Sequence, residues 1–350
     1  MKNVDFGRCA LGICLAAAML AGCGGSQPPI GAPGAMAQNR AAAAHPDHSG
    51  SWMLPEAKSE ALLYLSAGQG GESGFVKVFS YPQGKLVGTV TGLYEPFGEC
   101  VDSSGDVFVV AYANPSLNAS NIYEYAHGGT TPIATLNDPG VGWGCSVDPT
   151  TGNLAVTGGD PSYPDEGAVA IYAAAQGTPT MYYSSAFKAF GNCGYDNTGN
   201  LYLDGALVST QIGFARLAGG SQSIQTISLN KPIYTVGGFL PSVQWDGNNV
   251  TISSFPNKEG TGTLLIYQLK ISGNSATVKG TSELKSQKHV GHLGQTWIFE
   301  KTVVGAEDGD NFGKASYWNY PEGGKPTSTI EDATDLRKGS PWGAAISPAQ

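Results

Sequence analysis

The chain has 350 residues, 41% of them hydrophobic, only 13% charged, and a formal net charge of −9. That sign argues against nucleic acid, whose phosphates it would repel, and against electrostatic adhesion to anionic lipid. The 50 Gly and 21 Pro make up about a fifth of the chain, well above the usual share of roughly 12%, and with ample apolar content they indicate many short strands joined by tight turns rather than disorder.

At the N-terminus Lys2 and Arg8 precede an apolar stretch over residues 9–19, too short to span a bilayer, which needs about 20 residues. Leu20-Ala21-Gly22-Cys23 follows. This tetrapeptide resembles the lipobox of bacterial lipoproteins. The resemblance implies a signal peptide over 1–22, cleavage before Cys23, and acylation of Cys23 by chains such as palmitate. Cleavage would remove Lys2, Arg8 and Asp5 and leave a mature charge of −10. Gly24 in place of an acidic residue implies delivery to the outer membrane of a two-membraned cell. Residues 24–60 read as a flexible tether after the lipidated Cys23, rich in Gly, Pro and Ala. Within it His45-Pro46-Asp47-His48 has the residue types of a metal clip at an unspecific spacing.

From about residue 61 a unit recurs. Its opening strand ends in Asp and a Gly-containing turn, as in Phe97-Gly98-Glu99-Cys100-Val101-Asp102, Trp143-Gly144-Cys145-Ser146-Val147-Asp148, Asn192-Cys193-Gly194-Tyr195-Asp196 and the shorter Gln244-Trp245-Asp246. Spacings between Asp102, Asp148, Asp196 and Asp246 are 46, 48 and 50. A carboxylate can accept backbone N–H bonds across a turn closed by Gly at positive φ, so these four Asp residues are expected to be structural. An aromatic-rich third strand recurs six times, at Val76, Ile122, Val169, Phe214, Leu265 and Ser316. Short β-branched fourth strands follow, such as residues 86–90 and 224–229.

Four antiparallel strands repeated six times predict an all-β six-bladed β-propeller over 61–350. The first copy lacks its opening strand, and the final Trp342-Gly343-Ala344-Ala345-Ile346 looks like an opening strand with nothing after it. Pairing of these N- and C-terminal strands would close the ring and hide its sheet edges. Two tandem β-sandwiches are the alternative, which leaves the displaced strand unexplained. The repeat resembles the NHL-repeat and gluconolactonase-type propellers, through motifs generic to propellers.

The connections at 69–74, 114–121, 159–167, 256–262 and 307–313 are long and irregular, and they fall on one face of such a ring, where propellers bind. This face collects acidic residues, among them Asp138, Asp160, Glu166, Glu307, Asp308 and Asp310. Three readings stand open: a solvated surface, Ca²⁺ at Glu307-Asp308-Gly309-Asp310-Asn311, which lacks the spacing of an EF-hand loop, or recognition of a basic partner. The gluconolactonase resemblance implies a divalent cation at the channel mouth held by a Glu, Asn and Asp set. Glu99, Asn192, Gln244, His292 and Gln295 are the candidates near the channel; only Glu99 and Asn192 match in type, and no partnering Asp is evident, which puts metal-dependent hydrolysis in doubt.

Cys100, Cys145 and Cys193 remain after Cys23. Cys145 and Cys193 each precede the turn Asp by three residues and Cys100 by two, so Cys100 is expected on the other face of its strand. A Cys145–Cys193 disulfide between adjacent units is one reading, and three small buried residues the other. The sequence has no Gly-x-Ser-x-Gly elbow, no His-Glu-x-x-His and no phosphate-binding loop. The expectation is a membrane-anchored envelope lipoprotein whose propeller is a non-catalytic binding or scaffold module for an envelope protein or glycan, without a cofactor. The alternative is a metal-dependent envelope hydrolase or lactonase. A sugar- or quinone-linked dehydrogenase would need a cationic and aromatic cofactor cradle, and arginine is scarce, with only Arg40, Arg216 and Arg337 after cleavage.

Overall fold

A computed structural model describes residues 50–68, 73–209, 211–235, 241–257, 263–285, 292–308, 314–330 and 340–350. Cys23 and the His45-Pro46-Asp47-His48 segment lie outside them.

The described chain is almost entirely antiparallel strand. It opens with β1 (Trp52–Met53) and a short 3-10 helix, Pro55–Lys58. β1 pairs with β4 through Trp52↔Thr89 and Met53↔Gly88, and Ala57 is fully buried. The packed domain therefore takes in residues from Gly50 onward, and residues 50–60, read as tether in the sequence, belong to it. Apolar residues at 53, 54 and 57 pack against Tyr64, Val87 and Val90 and account for this.

The strands then run in meanders. β2 (Leu62–Gly68), β3 (Ser73–Ser80) and the first half of β4 (Leu86–Val101) form unit 1. The second half of β4, with β5 (Val107–Tyr112), β6 (Ser120–Tyr125) and β7 (Ala134–Asp138), forms unit 2. Unit 3 is β8 (Val141–Val147), β9 (Leu154–Asp160), β10 (Tyr163–Tyr172) and β11 (Thr180–Ser184). Unit 4 is β12 (Phe187–Tyr195), β13 (Leu201–Leu207), β14 (Ile212–Leu217) and β15 (Ile224–Leu229). β16 (Val243–Trp245), β17 (Val250–Ser254), β18 (Thr263–Ser272) and β19 (Ser275–Lys285) make unit 5. β20 (His292–Phe299), β21 (Thr302–Asp308), β22 (Lys314–Asn319) and β23 (Gly323–Ile330) make unit 6. The last strand, β24 (Ser340–Ser347), pairs antiparallel with β2 from Leu62↔Ser347 to Gly68↔Ser340 and supplies the inner strand of unit 1.

The turns after the inner strands of units 2 to 5 are each built around an aspartate. Asp102 Oδ1 accepts the Ser104 and Asp106 N–H groups, and Asp148 Oδ1 accepts that of Thr150. Asp196 Oδ1 accepts from Thr198 and Asn200, and Asp246 Oδ1 from Asn248 and Asn249. Gly105, Gly152, Gly199 and Gly247 follow at φ of +79°, +71°, +80° and +96°, a region an L side chain enters at a cost.

Neighbouring units meet at their inner strands, with backbone against backbone. A Cβ on Gly343 of β24 would lie 2.2 Å from the Phe97 carbonyl of β4. One on Gly98 would lie 2.4 Å from the Trp143 carbonyl of β8, and one on Gly144 2.7 Å from the Gly191 carbonyl of β12. The strands are irregular at these places: the ladder shifts register between Pro96 and Glu99, between Gly142 and Gly144 and between Phe190 and Cys193. Apolar clusters fill the wedges between units, Phe108, Val110, Leu154 and Val156 between units 2 and 3 and Phe187, Phe190, Leu203 and Ala215 around units 3 and 4.

The cysteines follow from this geometry. Cys100 is two residues from Gly98 and shares its direction, toward unit 3. Cys145 packs with Phe108 and Val110, toward unit 2, and Cys193 packs with Ala155 and Val169, toward unit 3. Cys100 and Cys145 are thus bonded, with Cα atoms 5.6 Å apart, and Cys193 is a buried free thiol. The Cys145–Cys193 pairing is corrected: both side chains point back toward the preceding unit, so neither faces the other. The disulfide closes a loop of sequence separation 45, for which chain entropy gives about 4 kcal/mol. Reduction, or the Cys100→Ala/Cys145→Ala double substitution, is expected to lower the melting temperature by at least about 5 °C, whereas Cys193→Ala leaves the sensitivity to reductant unchanged. Calorimetry with and without reductant checks both.

Candidate functional site

Two regions contain the residues that sequence reasoning selected: the place where the inner strands converge, and the face bearing the long connections.

At the convergence the polar side chains serve the backbone. Gln295 of β20 reaches Glu99 of β4 in a reciprocal pair. The Glu99 N–H donates to Gln295 Oε1 at 2.9 Å, and Gln295 Nε2 donates to the Glu99 carbonyl at 2.8 Å. Gln244 of β16 does the same for Ile298, donating to its carbonyl at 2.8 Å and accepting its N–H at 2.6 Å. Each amide acts as a fragment of an extra strand, satisfying edge groups that would otherwise be buried unpaired. Trp297 packs both on the cluster holding Phe79, Ala344 and Ile346 and on the one holding Cys100 and Cys145, so it crosses between them. Asn192 donates through Nδ2 to the Pro241 carbonyl, and its N–H donates to Asp204 Oδ1 at 2.6 Å.

Glu99 differs from these neighbours. Its carboxyl is fully buried and neither oxygen has a hydrogen-bond partner, and Asp204 Oδ2 is in the same condition. Burial in an apolar setting disfavours the charged form and pushes both carboxyls well above the usual range. Glu99 and Asn192 sit in different units with separate partners. Among the described residues no group of three or more His, Cys, Asp and Glu side chains is arranged to hold a metal ion. His292 and Asp308 lie opposite each other in the β20–β21 register, as do Leu293 and Glu307; Asp310 lies outside the described residues.

On the connection face two carboxylates of the expected acidic surface are buried anchors. Asp138 accepts the Gly140 N–H at 2.9 Å, and Asp160 accepts from Ser162 N–H and from the Tyr183 hydroxyl, each at 2.8 Å. Burial, with the Asp160 charge adding to it, pushes Asp138 up to about 6. Beside them an aromatic row runs along the upper ends of the inner strands. Trp342 and Phe97 have ring centroids 5.3 Å apart, Phe97 and Tyr112 5.0 Å, and the Trp143 indole N–H donates to the Tyr112 hydroxyl.

Sequence reasoning missed one property of this face. The exposed large apolar side chains of the described residues are Leu117, Ile133, Tyr163 and Val208. Three of them, Leu117, Tyr163 and Val208, stand on or beside the connections between second and third strands of units 2, 3 and 4. In an antiparallel meander those connections share one end, opposite the Asp turns. Single exposed apolar residues in loops carry no periodic signal, so only the shared topology groups them.

The Glu99 environment makes a pH prediction. A carboxyl raised in the folded state binds its proton more tightly there than in the unfolded chain. Stability therefore falls as pH rises from the ordinary glutamate range toward the folded value. Glu99→Gln is expected to remove that fall, giving a variant more stable than the parent at pH 8 and little different at pH 4. Parallel stability curves for the two proteins across pH 4–8 contradict it.

No protein-family model matches the chain, and no curated protein matches it. Solved structures do resemble it. A protein of unknown function from Bacteroides caccae is 11% identical, with 82% of this chain and 99% of that one covered and a TM-score of 0.55. TolB from Acinetobacter baumannii is 11% identical, with 84% of this chain and 68% of that one covered and a TM-score of 0.54. At that identity the likeness is one of fold alone: this is an all-β chain of curled sheets with a β-propeller, TolB, among its structural neighbours.

Proposed function

We propose that the chain is an exported lipoprotein, anchored through Cys23 in the bacterial envelope, whose domain is a six-bladed propeller closed by the β24–β2 pairing. It acts as a non-catalytic binding module. The observation that carries the binding role is the grouping of Leu117, Tyr163 and Val208 on one face of units 2 to 4, each at least 40% exposed. Asp165 and Glu166 lie close to Tyr163 in sequence, so the patch pairs apolar contacts with negative charge and suits a partner with an apolar and basic surface. The anchor rests on Leu20-Ala21-Gly22-Cys23. No helix among the described residues is long and apolar enough to cross a membrane. Closure is supported by the run of inner-strand contacts from β24 through β4, β8 and β12, and by the Gln244–Ile298 pair joining units 5 and 6.

The metal-dependent hydrolase reading differs in its response to cations. Saturation at 100 times Kd stabilises a fold by about 2.7 kcal/mol. Residues 24–350 are expected to unfold at the same temperature in EDTA and in Ca²⁺, Mg²⁺ or Zn²⁺, and a saturable rise with one cation would favour the enzyme. For the binding role, a photo-crosslinking residue is placed at 117, 163 or 208 in the full-length protein in intact cells, with position 133 as the control. A discrete adduct from the first three and none from the control is expected. Equal labelling from all four, or none from any, removes the binding face.

A further inference from the structure

His127, in the turn after β6, lies where the two ends of the domain meet. Its Nε2 is 2.9 Å from the carbonyl oxygen of Glu60, just before β2. Its Nδ1 is 2.6 Å from Ser347 Oγ, on the last residue of β24. Ser347 Oγ is in turn 2.6 Å from the carbonyl oxygen of Gly105, in the β4–β5 turn.

Counting hydrogens fixes the protonation these contacts need. A carbonyl oxygen only accepts. Nε2 must therefore carry a hydrogen for Glu60, and the Ser347 hydroxyl hydrogen is committed to Gly105. The remaining contact, between Nδ1 and Ser347 Oγ, then needs a hydrogen on Nδ1. All three are hydrogen bonds at once only when the ring is the imidazolium. With a neutral ring, either lone pairs face each other across the Nδ1–Oγ contact or the Gly105 carbonyl loses its donor inside the protein.

The charged groups around the ring fit that state. Asp106 of the β4–β5 turn accepts the His127 backbone N–H and acts on the ring through its charge. Asp102 on the same turn and Glu124 on β6 add negative charge beside Asp106. The segment before β2 contributes the Ala57 and Glu60 carbonyls and carries Lys58 and Glu60, while β24 contributes the uncharged Ser347. Burial acts in the opposite sense; it is the largest influence on the ring and pulls the imidazole below the usual histidine range, while the carbonyls and Asp106 push it up. The hydroxyl relay to Gly105 adds a demand for a hydrogen on Nδ1, which acts in the same sense as the carbonyls and Asp106.

We propose that His127 is a proton-operated clasp: as the imidazolium it ties Ser347 of β24 to Glu60 at the start of β2, and loss of the proton loosens the seam between the first and last strands.

The test is a pH titration of the imidazole signals of the folded protein by NMR, with Ser347→Ala as the second variant. His127 is expected to titrate above the ordinary histidine value of about 6.5, and Ser347→Ala to lower its proton affinity about tenfold. A folded value above the unfolded one means that the clasp's stabilisation is present below the unfolded value and is lost as pH rises through the folded one. Hydrogen exchange in β2 and β24, corrected for intrinsic rates, should accordingly quicken at least fivefold from pH 6 to pH 8 in the parent and not in His127→Gln. A His127 that titrates below 6, or whose titration Ser347→Ala leaves unmoved, overturns the proposal, and this reading survives should His127→Gln fail to fold.

Discussion

The structure depends on how closely the inner strands of neighbouring units approach each other. Gly343, Gly98 and Gly144 each present bare backbone to a carbonyl of the next unit, at separations where a methyl group would clash. An aromatic residue precedes each of these glycines: Trp342, Phe97 and Trp143. The pair works as one device. Glycine removes the obstacle to close approach, and the register shift beside it turns the aromatic ring out to the edge of the unit, where Trp342 meets Phe97 and Phe97 meets Tyr112.

Close approach has consequences for the polar groups nearby. Backbone brought this near to backbone leaves edge N–H and C=O groups with no room for water, and side chains from adjacent strands take them up. Ser66 donates to the Phe97 carbonyl and accepts from Gly343 N–H, and Thr157 donates to the Gly191 carbonyl at 2.6 Å. Gln295 and Gln244 do so with both ends of an amide. The Cys100–Cys145 bond crosses the same seam covalently. The side chains of Gln244 and Gln295, polar residues near the convergence, are thus committed to backbone groups of the neighbouring strands.

Much of the strand order was legible in the sequence because its signals are local. Asp102, Asp148 and Asp196 with their glycines mark turns by chemistry that needs no neighbour. The displaced strand at Trp342–Ile346 was legible as well, by its match to the opening strands and its lack of a successor; it pairs with β2. The start of the domain was not, because residues 50–60 are few and polar except at the positions that pack. The cysteine pairing was half legible. The offset of Cys100 from Cys145 and Cys193 does put it on the opposite face, and that difference selects it as the partner of Cys145, since two strands side by side bridge only through side chains facing each other. The roles of Gln244, Gln295 and Glu99 were illegible, because they depend on distances between units that no local pattern encodes.

Backbone contact between units, rather than turn conformation, is what requires glycine at these inner-strand positions. Alanine substitution tests it directly, by chemical denaturation of Gly98→Ala, Gly144→Ala and Gly343→Ala beside Gly159→Ala, whose nearest neighbour is the Ala189 Cβ at 4.0 Å. A loss of roughly 1–3 kcal/mol or more is expected for each of the first three, as overpacking of a tight interior costs, and a change within about 0.5 kcal/mol for the fourth. Four variants of equal stability would contradict it.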